Sequence, residues 1–387
     1  MSDRNVMNVV AGYAAAFEAK TALEQSGNDF SHSKWDVQRT LAKLHPKRLA
    51  LQVDEVIEET PSTKTFRLKA ADGGVLPPFQ AGQYINLFVD IAGVRTARPY
   101  AISSSPTQRS FYDLTVKRAK EGFVSGFLLD TVQVGQVFQT SGPMGTFHHN
   151  PLFHGDQLVF LAGGSGSAPA RSLLLEMLAQ RPTHHFHLIY VNSHVDDVIF
   201  AQAFRALAAQ HPNFRLTEVI SRPPEGYTGL SGRLSSERLR ALLGEVGQQM
   251  FFICGPTPFN ESCASILAGL GVKSRRIRIE ANGAPKCPEL LPGWPVSVSP
   301  VREVTVRVVG RGEFKATTSE PLLNSLERHG HFVENACRSG ECSLCRVKVV
   351  SGEVFNPPEA HLRKSDKDFG WVYSCVAFPT QDIEIDF

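Results

Sequence analysis

Residues 157–180 read QLVFLAGGSGSAPARSLLLEMLAQ. The apolar run has the length of a buried strand, three glycines follow within four residues, and then a leucine-rich segment of helical length begins. The pattern continues downstream, where HFHLIYVNS, FRLTEVIS and MFFICGP are apolar strand-like runs and FAQAFRALAAQH is helical. Buried strands alternating with helices predict a parallel sheet covered on both faces, an α/β doubly wound domain over residues 151–283. The glycines allow a tight turn and close approach to a pyrophosphate, and the helix start offers unpaired amides and a favourable dipole. The spacing is not G-x-G-x-x-G, so taken alone the turn also reads as a plain strand-to-helix connection.

Upstream the texture differs. From Leu49 the segments LALQVDEVIEE, TKTFRLKA, QYINLFVDI, PYAISSS and FYDLTVKRA are short, rich in β-branched and aromatic residues, and separated by Pro, Gly and Asp turns. They predict an antiparallel β-barrel over residues 46–150. Residues 1–45, rich in Ala, Glu, Lys and Gln, predict two short helices, with NVVAGYAAAFEAKTALEQ expected as a helix packed on the barrel. Downstream, GAPKCPELLPGWPVSVSP carries five prolines and predicts an extended linker over 284–302. The strand VTVRVVG opens a last domain, 303–387.

That domain holds ACRSGECSLCRVKVVSGEV (336–354), in which Cys337, Cys342 and Cys345 are spaced C-x4-C-x2-C; a fourth cysteine, Cys375, follows after 29 intervening residues. Seven cysteines, an odd number gathered toward one end, argue against a secreted disulfide framework and for thiolates that bind something in a reducing, cytoplasmic compartment. With 40 basic and 38 acidic residues the net charge is only +2, so charge makes no case for nucleic acid or an anionic membrane as partner. No run approaches the length of a membrane span, and the N-terminus lacks a signal-peptide pattern.

The pattern C-x4-C-x2-C-x29-C resembles the plant-type ferredoxin site, in which four thiolates hold a [2Fe-2S] cluster. The resemblance implies Cys337, Cys342, Cys345 and Cys375 as metal ligands, with Ser339 and Gly340 supplying tight backbone and amides, in an α+β (β-grasp) ferredoxin domain. A structural zinc site also uses four cysteines but takes paired C-x2-4-C knuckles rather than one loop of three. Cys254, Cys263 and Cys287 fall outside the pattern.

The two upstream domains resemble the ferredoxin-NADP reductase superfamily over roughly Pro46 to Gly283. In RPYAISSS, Arg98, Pro99, Tyr100 and Ala101 stand at the family's Arg-x-Tyr-Ser motif, which implies that Arg98 meets a flavin phosphate and Tyr100 packs on the flavin ring. Ala101 departs from the family serine, and Ser103 or a backbone amide is the expected substitute. Gly122, Val124 and Ser125 in KEGFVSGFLLD stand at a second flavin-phosphate signature, and with VGQVFQTSGPMGTF they resemble FAD-binding members more than FMN-binding ones.

Gly163, Gly164, Gly166 and Pro169 match the family's Gly-Gly-x-Gly-x-x-Pro nucleotide turn. Cys254, Gly255 and Pro256 in FFICGPTPF match its Cys-Gly-Pro signature, which implies Cys254 near the nicotinamide. Ser221, Arg222 and Arg233 stand where relatives discriminate the 2′-phosphate; the balance of similar pairs in oxygenase reductases favours NADH over NADPH. Glu280 in RIRIEANGAP stands where relatives have a glutamate near the flavin, followed here by Ala281-Asn282-Gly283 in place of the family's closing aromatic.

The domain order resembles the reductase components of multicomponent oxygenases, Rieske-type and related. It implies an NAD(P)H-dependent oxidoreductase that passes electrons through FAD and a [2Fe-2S] cluster to an electron-accepting protein, an oxygenase component. Two alternatives stay open: a reductase for another low-potential acceptor of corrinoid or dehalogenase type, and a redox-responsive binding subunit with little turnover.

Overall fold

The computed structural model describes residues 12–27, 31–120, 122–281, 283–358 and 360–387. Residues 1–47 form one compact unit and residues 48–387 another. In the first, α1 (Tyr13–Gln25) and α2 (Ser31–Leu44) are the two expected helices. No residue of α1 is buried, and Tyr13 and Phe17 stack one turn apart along it. The start of that segment, residues 8–11, lies outside the described residues.

In the second unit β1 (Leu49–Thr60), β2 (Thr63–Ala70), β3 (Tyr84–Ile91), β4 (Val94–Ala101), β5 (Tyr112–Lys117) and β6 (Val137–Thr140) pair antiparallel in the order β4-β3-β6-β1-β2-β5. A bridge between Ile102 and Leu114 brings the exit of β4 back to β5, so the sheet curls on itself. Alternate residues of the strands, among them Leu51, Val53, Phe66, Leu68, Leu87, Val89, Leu114 and Val116, fill the interior. Helix α3 (Phe123–Thr131) adds Val124, Leu128 and Leu129 to that core.

The next sheet is fully parallel: β7 (Gln157–Gly163), β8 (His185–Asn192), β9 (Phe214–Ile220), β10 (Leu230–Ser231), β11 (Met250–Cys254) and β12 (Ile277–Glu280), in the order β10-β9-β8-β7-β11-β12. Its strands are apolar on both faces because both are covered. Phe160 and Phe252 lie under α4 (Ser167–Gln180) and α5 (Ala201–Gln210), while Val159, Leu161, Phe251 and Ile253 lie under α6 (Ser236–Leu243) and α7 (Thr257–Gly269). The chain winds outward from β7 through β8 to β10, then crosses back to β11 on the other side of β7. The crevice at the carboxyl ends of β7 and β11 is therefore the topological switch point, where ligands bind in such sheets.

After the proline-rich segment, β13 (Glu303–Val308), β14 (Gly312–Thr317), β15 (Arg346–Ser351), β17 (Trp371–Tyr373) and β19 (Ile383–Asp386) form a mixed sheet in the order β14-β13-β19-β15-β17, with β13 and β19 parallel. Strands β16 (Val354–Phe355) and β18 (Phe378–Pro379) make a separate pair. Helix α8 (Leu322–Arg328) packs Leu322, Leu323 and Leu326 on Val304, Val306, Val347 and Ile385, and α9 (Lys364–Asp368) precedes β17. This is the expected β-grasp arrangement. Among the described residues no helix is long and apolar enough to cross a membrane.

Where the loop after β6 meets β7, His149 and His154 are buried at 5% and 8% exposure. His149 Nε2 lies 3.0 Å from the Gly155 carbonyl, and the Asn150 N–H donates to His154 Nδ1 at 3.0 Å. Burial, reinforced by charges that include Arg181 for His149 and Arg278 for His154, pulls both imidazoles down to about 4. Folded, both stay neutral; unfolded, both take protons near 6.5. Stability held above pH 6.5 is therefore lost as the pH falls toward 4, on the order of 2 kcal/mol per histidine by pH 5. The urea midpoint of the wild-type protein should drop between pH 7 and pH 5, and His154→Asn should flatten that drop. Equal slopes for the two would remove the histidines as its cause.

Candidate functional site

The cysteine loop folds around a left-handed backbone. Gly340 sits at φ +82°, and a Cβ there would meet Val376 Cγ2 at 2.9 Å and Ala360 Cα at 3.3 Å. Arg338 and Ser343 take positive φ without being glycine, as a tightly curled loop requires. The curl points three amides, those of Ser339, Glu341 and Cys342, at Cys337 Sγ, each at 3.4 Å. Donors gathered on one sulfur stabilise its negative charge.

Cys337, Cys345 and Cys375 are buried and Cys342 is half-buried. The four thiols lie close enough to perturb one another, Cys337 beside Cys342 and Cys375, and Cys345 beside Cys375. Neighbouring thiols, helped by the loop amides, hold Cys337 and Cys345 down, and the same neighbours together with burial push Cys342 and Cys375 up. Among the described residues no group of three or more His, Cys, Asp or Glu converges on one ion. Three cysteines on one curled loop with Cys375 beside them suit an iron–sulfur cluster better than the paired knuckles of a zinc site. The residues present fit a [2Fe-2S] cluster.

On β4 the side chain of Arg98 donates to Thr96 Oγ1 (2.6 Å) and to the Ala97 carbonyl (2.8 Å). Burial and then the Arg338 charge lower its pKa to about 10, the condition of a cation short of an anion. Burial pushes the Tyr100 phenol up, so that ring stays neutral. Pro99 and Ala101 alternate with these two along the strand. Ser103 is placed differently from expectation: it is fully buried, its hydroxyl donates to the Asp113 carbonyl at 3.1 Å, and it pairs with Thr115 Oγ1 at 2.9 Å. That hydroxyl is engaged on the face of β5 opposite the barrel core, beside Thr115.

Gly122 caps α3 in extended conformation, where a Cβ would lie 2.2 Å from Ser125 Oγ. The Ser125 hydroxyl accepts from the Ala119 N–H at 3.1 Å, tying the loop to the helix start. The side chain of Val124 is in the barrel core, and its backbone amide lies in the first turn of α3.

At the switch point two loops interlock through their glycines. A Cβ on Gly166 would lie 1.8 Å from the Cys254 carbonyl oxygen, and one on Gly163 would lie 3.0 Å from the Phe259 ring and 3.2 Å from Pro256. A Cβ on Gly255 would meet Phe259 at 2.6 Å and Gly163 Cα at 3.1 Å. Gly164, at φ +54°, gives its carbonyl to the Tyr190 hydroxyl at 3.0 Å, and Pro169 is buried in the first turn of α4. Lys117, which sequence reasoning missed, points its ammonium at this turn, 3.6 Å from a Cβ position on Gly164, and pairs with Asp197 at 2.6 Å. Only the alternation of β5 hinted at it.

Ser221 and Arg222 follow β9, their amides bonded to the Asn192 and Ser193 carbonyls, and the pairing of β10 with β9 carries the chain to Arg233 beside them. Both arginines are exposed. Glu280 ends β12 in register with Cys254. Burial, then the charges of Glu341 and Cys337, pushes its carboxyl up to about 8. Of the three residues after it, Asn282 lies outside the described residues.

Glu280 is therefore within electrostatic reach of the cysteine loop. The Tyr84 phenol is raised by burial and then by the charges of Cys337, Cys342 and Glu280, and Tyr84 and Met144 pack on Ala336, Cys337 and Cys342. The barrel, the end of the parallel sheet and the cysteine loop converge at one place.

Three families match in succession: the oxidoreductase FAD-binding domain over residues 50–149, the oxidoreductase NAD-binding domain over 160–265, and the 2Fe-2S iron-sulfur cluster binding domain over 307–380. The chain is 31% identical over 351 residues to the ferredoxin reductase component of 3-ketosteroid-9-alpha-monooxygenase from Mycolicibacterium smegmatis, covering 88% of this chain and 97% of that protein. It is 29% identical over 345 residues to the glycine betaine monooxygenase reductase subunit of Pseudomonas aeruginosa, covering 86% and 93%. Its fold matches that of phthalate dioxygenase reductase, described as a modular structure for electron transfer from pyridine nucleotides to [2Fe-2S], with a TM-score of 0.65 at 20% identity over 88% of this chain and 98% of that one.

Proposed function

We propose a function on the premise that this chain belongs to the family of ferredoxin-reductase components of oxygenases, in which FAD-binding, NAD-binding and [2Fe-2S] domains share one polypeptide. It is an NAD(P)H-dependent oxidoreductase that delivers electrons one at a time to a partner oxygenase component, working in the cytoplasm where its thiolates stay reduced. When bound, FAD takes a hydride from the nicotinamide and the [2Fe-2S] cluster relays single electrons. The convergence of Tyr84, Glu280 and Cys337 carries this reading, because electrons leaving the flavin need a short path to the metal.

The chain's own residues bind, orient and shield. Arg98 and the amides at the start of α3, at Val124 and Ser125 behind Gly122, hold the flavin phosphates, and Tyr100 covers the ring beside Pro99 and Ala101. Gly163, Gly164 and Gly166, with the amides at the start of α4 ahead of Pro169, take the nucleotide pyrophosphate, and Lys117 adds its charge. Gly255 and Pro256 bring Cys254 to the nicotinamide end of the switch-point crevice. Arg222 and Arg233, with Ser221, read the ribose, and NADH is the preferred donor. Glu280 keeps a protonated carboxyl at neutral pH at the junction with the cysteine loop. Cys337, Cys342, Cys345 and Cys375 ligate the irons.

Anaerobic titration with NADH and, separately, NADPH tests the reading. The flavin absorbance should bleach and a rhombic [2Fe-2S] paramagnetic signal should grow in step, at lower NADH than NADPH. A bleached flavin with no paramagnetic signal would overturn it.

A further inference from the structure

Besides the packing of Tyr84 and Met144 on the cysteine loop, the barrel meets the ferredoxin domain along a short segment, Glu327 to Arg338, that includes Cys337. Its rim is held by Arg48 on Glu334 at 2.7 Å, by Phe88 and Arg95 against Phe332 at 6.4 and 5.1 Å, and by the Asn86 amide donating to the Asn335 carbonyl at 2.5 Å. At its centre is a buried charge network. Glu327, at the end of α8, is 4% exposed; one carboxylate oxygen accepts from Arg338 Nη2 and the other from Thr96 Oγ1 at 2.8 Å. The Thr96 hydroxyl in turn accepts from Arg98 Nη1 at 2.6 Å and from Arg338 Nη2 at 3.2 Å. Arg98 Nη1 lies 3.8 Å from Glu327. Arg338 is further held by Asn324 Oδ1 at 3.0 Å and Asn335 Oδ1 at 3.3 Å.

Two guanidinium groups thus share one carboxylate, one of them on the barrel strand β4 and the other next to a cluster cysteine. A buried ion pair contributes little net stability compared with apolar packing, yet it is costly to misalign. Such a network therefore sets geometry rather than affinity. The remaining positive charge at Arg98 is available for the flavin phosphate, so a single carboxylate touches both the residue expected to anchor the flavin and the loop that curls around the metal.

We propose that Glu327 is a positioning residue: through Thr96 and Arg338 it seats the cysteine loop on the barrel at the separation that flavin-to-cluster transfer requires. The inference rests on the reading above, that the cluster is charged from the flavin. Glu327 touches neither cofactor; it acts through its neighbours. Loss of its charge leaves Arg338 buried beside Arg98 with no carboxylate between them, and the two docking faces separate.

The test uses the full-length holoprotein with Glu327→Gln and, in case a buried unpaired arginine impairs folding, Thr96→Val, which breaks the barrel side of the network without stranding a charge. Stopped-flow mixing with NADH follows flavin bleaching and cluster reduction separately, and limited proteolysis reports on the segment 284–302. The expected result is flavin reduction within about twofold of wild type, cluster reduction slowed about tenfold or more, an unchanged cluster paramagnetic spectrum and faster cleavage of 284–302. Wild-type rates of cluster reduction and cleavage in both variants would overturn the inference, as would an altered cluster spectrum, which would mark Glu327 as part of the loop's own fold. Failure of the cluster to reduce in the wild-type protein would instead remove the reading on which the inference rests.

Discussion

Replacing Cys345 or Cys375 by serine is expected to abolish electron delivery to a one-electron protein acceptor such as cytochrome c, while reduction of ferricyanide by NADH persists. Both thiols are buried, at 1% and 3% exposure, and lie beside each other within the C-x4-C-x2-C-x29-C set. A serine hydroxyl ionises far less readily than a thiol and is a harder ligand, poorly suited to an iron–sulfur centre. The visible absorbance and paramagnetic signal of the cluster should go with the activity. Cys287→Ser is the control: that cysteine is exposed, outside the C-x4-C-x2-C-x29-C pattern, and should change nothing. Retention of cytochrome c reduction in the Cys375 variant would remove this residue from the ligand set.

Gly166→Ala should be nearly as damaging, for a different reason. The added methyl would stand 1.8 Å from the Cys254 carbonyl oxygen, and both atoms belong to backbone that ends a central strand or starts a helix. Nothing there is the flexible tip of a side chain, so the two loops of the switch point must move apart. Overpacking of this kind costs about 1–3 kcal/mol, and a shift of about 1 Å in a reacting group costs roughly 100-fold in rate. NADH-dependent flavin bleaching should fall by about that factor, while chemical reduction of the cluster by dithionite stays normal. Gly164→Ala makes the comparison, since its positive φ strains an alanine but the nearest atom to the new methyl is the Lys117 ammonium at 3.6 Å. Its effect should be smaller. Equal rates for wild type and Gly166→Ala would mean that the crevice is not where the nicotinamide binds.

The glycines of the 163–166 turn show how far local reading reaches. Their spacing was readable as a nucleotide turn, but the tightest constraint on Gly166 comes from Cys254, about 90 residues later in the chain. Ser103 shows the opposite case. It followed the flavin motif closely enough to look like a substitute for the missing serine, yet its hydroxyl is held by Thr115 and the Asp113 carbonyl of β5, partners that lie outside the motif. Lys117 was passed over as an ordinary strand residue, because nothing in FYDLTVKRA says that β5 ends beside the turn after β7. The first helix was legible for a local reason: alanine-rich sequence is enough to form α1.

What the sequence determined by itself is what depends on near neighbours. Apolar periodicity of two or of 3.6 assigns strand or helix, proline and glycine punctuate them, and the cysteine spacing sets how a single loop can curl around two irons. The three domains and their order follow from that. Tertiary structure alone decided where those domains touch. Thr96 and Glu327 are 231 residues apart and Thr96 and Arg338 are 242 apart, and no periodicity links such positions. Glu280, Tyr84 and Cys337 likewise come from three different domains. Their meeting is fixed by the shapes of packed faces and by the need of every buried charge for a partner, conditions that exist only once the chain has folded.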